Sequence, residues 1–235
     1  MGGPRYAAFR DSTLQFLREL ERNNDREWFN ANKTRYEEQV LDVALRFIQS
    51  MQEPLAKLAP HFVAVPTRVG GSLMRVYRDT RFSKNKLPYK TNIGIQFRHE
   101  MAKDVHSPGY YVHIEPGEVF LGAGMWRPDS EPLLAIRQRI ANKPAEWKRA
   151  MTDMAFRRHF RLGGESLKRP PRGFDAEHAY IDDIKRKSFI AVKEMDPEAC
   201  VKPRFQQQVE TAFKAASPFM RFLCKAVGVP FQARS

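Results

Sequence analysis

The chain has 235 residues, of which 42% are hydrophobic, and a formal net charge of +13. This apolar fraction is enough for a substantial core and excludes an intrinsically disordered chain. The longest apolar runs are a few residues, which predicts no bilayer-spanning segment, and two cysteines make no disulfide framework. We therefore expect one cytoplasmic domain over residues 1–235 with no membrane partner.

The N-terminal part of the chain has the period of α-helices. Leucines at positions 14, 17 and 20 share one helical face after Asp11 or Ser12, and Asp25 can cap a second, shorter helix. An apolar stripe from Tyr36 to Leu58 predicts a longer helix, which Pro54 should kink or split.

The central part changes to the period of β-strands. Apolar and polar residues alternate over 92–98, and again on both sides of Pro116-Gly117, which predicts a hairpin over 110–123. Residues 62–66 and 73–77 are two further strand candidates.

Helical spacing returns after residue 130 and extends to Phe156, and residues 188–192 can rejoin the sheet. Helices are predicted again over 197–214 and 218–227. The order of helices, strands and helices predicts an α+β fold, in which a central, mostly antiparallel sheet carries helices from the N- and C-terminal parts.

Positive charge is concentrated in two stretches of the chain. Residues 71–100 carry seven Lys and Arg against two Asp and Glu, and residues 148–190 carry eleven against six. Because like charges repel, two such stretches need either separation or an anion between them.

The first candidate binding segment is residues 75–91, a long connection with six cations and one acid. Arginine forks and lysine ammonium groups suit an anion with several oxygens. The candidate ligand-binding residues are Arg75, Arg78, Arg81, Lys86, Tyr89 and Lys90. Alternatively, Asp79 pairs with an arginine to brace the loop, and Lys84 and Lys86 are merely solvated.

The second candidate segment contains Lys168, Arg169 and Arg172, and Pro170-Pro171 stiffens its backbone. It is either a preorganised clamp for an anion or an exposed basic loop. His178 follows it, as a structural histidine with a partner or as a catalytic group.

A third group consists of His99, His106 and His113 with nearby glutamates. His113 and Glu115 are two residues apart on a predicted strand and so share one face, which Tyr111 joins. A His-x-Glu pair with another histidine could bind a divalent metal, whereas surface or hydrogen-bonding roles need none. The compact His-Glu-x-x-His signature is absent, so we assign no metal ligand, and the cofactor is unknown.

The spaced motif Arg75-x-x-Arg78-Asp79-x-Arg81-Phe82-x-x-Asn85-Lys86-x-x-Tyr89 resembles the hallmark of the mainly bacterial domain-of-unknown-function family 2461. The likeness also covers Asn23 to Phe29, Pro108 to Tyr111, Leu121 to Gly124, and Leu167 to Gly173 with His178. The resemblance implies a stand-alone cytosolic domain and supplies no reaction and no residue roles.

Two functions are compatible with these patterns. The first is a small phosphorylated or carboxylated ligand bound between segments 75–91, 110–124 and 168–178. If that protein is an enzyme, its acid–base candidates are Asp79, His113, Glu115 and His178.

The alternative is a nucleic-acid-binding protein, in which Phe82, Tyr89 and Tyr111 stack on bases. Nothing in the sequence favours a third role through protein contacts. The glycine-rich loops of nucleotide hydrolases and dinucleotide enzymes and the serine-hydrolase elbow are absent. The sequence leaves open the ligand, the reaction and the oligomeric state.

Overall fold

The computed structural model of the protein describes residues 9–81, 84, 86–101 and 107–232. The helices are α1 (Asp11–Arg22), α2 (Arg26–Ala31), α3 (Lys33–Tyr36), α4 (Asp42–Ser50), α5 (Gln52–Leu58), α6 (Ser130–Asn142), α7 (Pro144–Thr152), α8 (Met154–His159), α9 (Ile181–Ile184), α10 (Phe205–Ala215) and α11 (Ser217–Ala226). The strands are β1 (Phe62–Val63), β2 (Ile93–His99), β3 (Gly109–Glu115), β4 (Glu118–Met125), β5 (Arg161–Gly163) and β6 (Phe189–Met195). The predicted α+β class is confirmed.

Helix α2 begins where the sequence predicts, whereas α1 begins earlier, with Arg10 in the N-cap position, so that the predicted caps Asp11 and Ser12 lie in its first turn. The three leucines of α1 are buried on one face. Asp25 caps α2, because its side chain accepts a hydrogen bond from the backbone N–H of Trp28 at 2.9 Å.

The long helical stripe from Tyr36 is divided, but not at Pro54. A π-helical turn spans Glu37–Leu41, α4 follows it, and the break before α5 lies at Met51. Pro54 is the third residue of α5, where its missing N–H costs no helical hydrogen bond.

The six strands form one antiparallel sheet in the order β1-β2-β3-β4-β6-β5. The predicted hairpin is β3-β4, and Gly117 in its turn has a φ of 86°, which favours glycine. The short elements β5 and α9 are not predicted from the sequence, because three or four residues show no recognisable period.

Strand β1 pairs only with the end of β2 at Arg98 and His99. The rest of this edge of β2 is covered by two paired segments, residues 72–78 and 88–92, which we call the basic arm. The predicted strand 73–77 is reduced here to two isolated bridges, Leu73 with Ile95 and Tyr77 with Tyr89. Lys90 donates its backbone N–H to Val76 at 2.7 Å, so the two halves of the arm pair with each other.

Helices cover one face of the sheet, with α4 packed on β2, and α10 and α11 packed on β4. Within the described residues, the buried apolar side chains form one cluster that includes both terminal helical regions and the sheet. This continuity supports the proposal that the chain folds as one domain. Cys200 and Cys224 are free and buried in this core.

None of the helices in the part of the chain that the structure describes is long and apolar enough to cross a bilayer.

His99 joins β2 to the C-terminal segment, and its ring is buried. Its Nε2 lies 2.7 Å from the carbonyl oxygen of Pro230, and its Nδ1 accepts the backbone N–H of Met101 at 3.1 Å. Both contacts are satisfied by the neutral ring with the proton on Nε2. Burial lowers the pKa of His99 below its ordinary value of 6.5.

We predict acid destabilisation that depends on His99. Because the unfolded chain takes up the proton at a higher pH than the folded one, the free energy of unfolding should fall as the pH drops through 6.5. Urea denaturation between about pH 8 and pH 5 should show this slope, and His99→Gln should reduce it. Identical slopes for the two proteins would contradict the prediction. Burial and the charge of Lys193 also lower the pKa of His159. This second histidine should therefore account for the pH dependence of stability that remains in His99→Gln.

Candidate functional site

A patch of polar side chains lies on the sheet face that points away from the helical core. The pleat of β3 buries Tyr110, Val112 and Ile114 in the core. Tyr111, His113 and Glu115 alternate with them and lie on the other face, so the expectation that these three share a face is confirmed.

His113 is held on both ring nitrogens and on one ring face. Its Nδ1 lies 3.2 Å from the Tyr111 hydroxyl and 3.4 Å from the Asn92 amide nitrogen. Its Nε2 lies 3.3 Å from Glu115 Oε2. Phe120 of β4 stacks on the imidazole with centroids 4.4 Å apart and planes 10° apart. The ring, with only 12% of the side chain exposed, therefore has little rotational freedom.

Glu118 completes this patch and was not identified from the sequence. It is paired with Glu115 across the hairpin turn, and its Oε2 lies 3.8 Å from His113 Nε2. The sequence does contain the information to find Glu118, because a tight turn at Pro116-Gly117 sets Glu115 opposite Glu118. One ligand atom from each of the three residues lies within 4.8 Å of the other two, which is compact enough for one metal ion.

The other two histidines considered as metal ligands do not contribute to this group. His99 is engaged at the far end of β2, as described above, and His106 lies outside the described residues.

Two glycines make room for Tyr111 on this face. A Cβ at Gly94 would lie 2.8 Å from the Tyr111 hydroxyl oxygen, and one at Gly122 would lie 3.3 Å from Tyr111 Cβ. Burial, with smaller contributions from Glu115 and Glu118, raises the pKa of Tyr111 to about 12. Its hydroxyl therefore remains protonated at neutral pH and can donate or accept a hydrogen bond.

The basic arm brings three of the predicted cations together. Burial lowers the pKa of Lys90, and the positive charges of Arg75 and Arg78 lower it further. Arg78 Nε donates to the carbonyl oxygen of Tyr89 at 3.0 Å. Within the described residues, no carboxylate lies within ion-pair distance, 4.0 Å, of these three cations.

Tyr89, predicted as a ligand-binding residue, anchors the arm to the core. Its side chain is 3% exposed, and its ring stacks on Phe29 of α2 with centroids 4.1 Å apart. The Asn24 side chain accepts the backbone N–H of Tyr89 and donates to its carbonyl oxygen, each at 3.0 Å. These contacts connect the arm to the loop between α1 and α2.

The tip of the first segment is braced internally, as the alternative interpretation expected. Arg81 donates from Nε and an Nη to the two oxygens of Asp79, and this pairing lowers the pKa of Asp79 to about 2. Lys86 Nζ donates to the carbonyl oxygen of Thr80. Phe82, together with Ser83 and Asn85, lies outside the described residues.

The second basic segment is attached to the opposite edge of the sheet. A bridge between Ser166 and Arg186 ties it to the β5-β6 edge, and Lys168, Arg169 and Arg172 are exposed. Strands β3, β4 and β6 lie between β2 and β5, so these two strands are four strand spacings apart. At about 4.8 Å per spacing, the distance between them is roughly 19 Å. The contacts of this segment are therefore made at its own edge.

The other polar groups of this segment have local partners. His178 Nδ1 accepts the backbone N–H of Tyr180 at 3.1 Å. The cations of the 185–187 run pair with acids at the same edge, in the pairs Lys185–Asp182, Arg186–Asp183 and Lys187–Glu165.

A basic cleft of roughly 910 Å³ opens on the helical side of the molecule. Its charged lining comes from helices α5, α7, α10 and α11 and includes Arg149, Lys214 and Lys225 together with the acid Glu146. Glu146 accepts hydrogen bonds from Arg139 and Lys225, so part of the positive charge is neutralised. This cleft is not recognisable in the sequence, because its residues are far apart in the chain and follow no motif.

Comparison with known families matches residues 12–222 of the chain to the family described as Conserved hypothetical protein (DUF2461). No curated protein and no solved structure matches the chain.

The anchoring role of Tyr89 predicts a specific pattern of stability. Tyr89→Ala should cost about 3–5 kcal/mol of unfolding free energy, because it removes a buried, stacked ring. Tyr89→Phe keeps the ring and should cost less than about 1.5 kcal/mol. Urea denaturation followed by circular dichroism measures both values. A Tyr89→Ala variant as stable as the wild type would contradict the anchoring role.

Proposed function

The chain belongs to the family of conserved hypothetical proteins DUF2461, and we propose that it binds a small anion with several charged oxygens at the basic arm. The observation that carries this proposal is the grouping of Arg75, Arg78 and Lys90 without a carboxylate partner among the described residues. The ligand class is phosphorylated or carboxylated.

Electrostatics favours an anion at this position. Three adjacent positive groups repel one another, and the lowered pKa of Lys90 reflects that repulsion together with burial. An anion between them would relieve the repulsion and favour the charged form of Lys90. Guanidinium groups can hold phosphate or carboxylate oxygens through paired N–H donors.

The arm is also rigid enough to hold such a ligand. Its backbone is attached to β2 through Met74, which donates its N–H to Gly94 at 2.9 Å. Asn24 and the stacked ring of Phe29 secure its other half through Tyr89. Side chains on a fixed backbone lose less conformational entropy on binding than side chains on a loose loop.

Acid–base chemistry at this site would depend on His113 and Glu115. Asp79 is committed to Arg81, and His178 lies at the opposite sheet edge. Thr91, the neighbour of Lys90, donates its hydroxyl to Glu115 Oε1 at 2.6 Å and so connects the arm to the His113 patch. The proposal itself concerns binding and does not require turnover.

Two of the aromatic residues considered for stacking on bases, Tyr89 and Tyr111, are engaged within the protein. Tyr89 is stacked in the core, and the Tyr111 ring lies against Gly122 with its hydroxyl close to His113. Tyr89, which is 3% exposed, has no face open to a base, whereas Tyr77 of the arm is 57% exposed and can stack on one.

We predict that anion binding depends on the arm. Inorganic phosphate, pyrophosphate or citrate should raise the melting temperature of the wild type in a saturable manner. Lys90→Gln and Arg78→Ala should each weaken binding by roughly 10- to 100-fold, which corresponds to the loss of one charge-assisted hydrogen bond. Affinity should also fall at alkaline pH, as Lys90 loses its proton below the ordinary pKa of 10.5. Isothermal titration calorimetry measures these affinities.

Two matched variants make this experiment selective. Arg46→Ala removes an exposed arginine of α4 and controls for net charge, and Arg149→Ala removes one from the helical cleft. Both should bind as the wild type does. If Arg149→Ala abolishes binding while Lys90→Gln does not, the arm is not the site. If no small anion binds but a single-stranded oligonucleotide does, with steep salt dependence, the nucleic-acid alternative replaces this proposal.

A further inference from the structure

We propose that His113, Glu115 and Glu118 bind one divalent transition-metal ion on the polar face of the sheet. This site adjoins the proposed anion site through Thr91, but neither proposal requires the other. All three ligands come from the β3-β4 hairpin, so local structure is enough to bring them together.

The spacing of the ligand atoms suits a single ion. His113 Nε2 lies 3.3 Å from Glu115 Oε2 and 3.8 Å from Glu118 Oε2. Metal–ligand bonds of about 2.1 Å place neighbouring ligands about 3.0–3.4 Å apart in octahedral or tetrahedral geometry. Glu115 already meets this spacing. Glu118, whose side chain is 64% exposed, lies just outside this spacing from the histidine and has to move closer to reach it.

Groups around the ligands orient them in the way that metal sites require. The Tyr111 hydroxyl oxygen can accept a hydrogen bond from His113 Nδ1–H, and this tautomer leaves the Nε2 lone pair directed at the two carboxylates. The Asn92 amide nitrogen, a donor 3.4 Å from Nδ1, does not support this tautomer. Thr91 donates to Glu115 Oε1, so Oε2 is the oxygen available to an ion. Such outer partners set the tautomer and direction of metal ligands and strengthen binding.

The donor set indicates which ions fit. One imidazole and two carboxylates suit Zn²⁺, Mn²⁺ or Fe²⁺, whereas Cu⁺ prefers thiolate or thioether sulfur, which these three ligands do not supply. Two carboxylates beside a neutral imidazole carry two negative charges, which an ion of charge +2 neutralises. Three protein ligands leave coordination positions open for water or a substrate oxygen.

The test is calorimetric titration of the full chain, first treated with a chelator, with Mn²⁺ and separately with Zn²⁺. We expect one ion per chain for at least one of the two metals. Glu118→Gln and His113→Gln should each weaken binding by more than about tenfold. Glu118 is exposed, so its variant keeps the test valid if His113→Gln does not fold. Thr91→Val should weaken binding about tenfold without removing a ligand.

A second histidine–glutamate pair supplies the control. His61 Nδ1 lies 2.6 Å from Glu100 Oε1, at the β1-β2 edge and away from the hairpin. Glu100→Gln should leave metal binding unchanged. Absence of one-to-one binding by the wild type overturns the proposal and leaves His113 as a hydrogen-bonded group only. The proposal is also overturned if Glu100→Gln and Glu118→Gln lose metal affinity equally, or if Glu118→Gln binds the metal as tightly as the wild type. Either result would mean that the metal binds adventitiously to the surface.

Discussion

The alternation of side chains along β3 is the constraint on which the candidate site depends. One set of residues, Tyr110, Val112 and Ile114, is buried in the hydrophobic core, and this burial determines the direction of every residue between them. Tyr111, His113 and Glu115 must then lie on the opposite face. A shift of register by one residue would exchange the two sets and place a carboxylate in the core, so the hydrophobic core itself maintains the polar patch.

The basic arm depends on a second kind of support, because it has few strand hydrogen bonds of its own. Its position is secured by Asn24 and by the stacking of Tyr89 on Phe29, contacts between segments about 65 residues apart in the chain. This attachment holds Arg78 and Lys90 close together in spite of their mutual repulsion. The stability gained by burying an aromatic ring therefore offsets an unfavourable grouping of charge, which is typical of sites that bind a ligand of opposite sign.

The two proposals use adjacent but distinct groups. The arm supplies positive charge without acids, and the hairpin supplies negative charge with an imidazole. Thr91 connects them, because it follows Lys90 in the chain and donates its hydroxyl to Glu115. A metal at the hairpin would attract the same class of anion that the arm attracts, so a ligand with several oxygens could contact both. The helical cleft lacks this arrangement, since Glu146 there pairs with Arg139 and Lys225.

The sequence by itself determined the α+β class, the β3-β4 hairpin, the cap of α2 and the shared face of Tyr111, His113 and Glu115. These features follow from local periodicity and turn chemistry, which act over a few residues. Only the tertiary structure decided that Tyr89 is a core residue, that Glu118 joins the histidine, and that the two basic segments attach to opposite edges of the sheet. The physical reason is that strand order and packing partners depend on the burial of surfaces from distant parts of the chain, which no local pattern records.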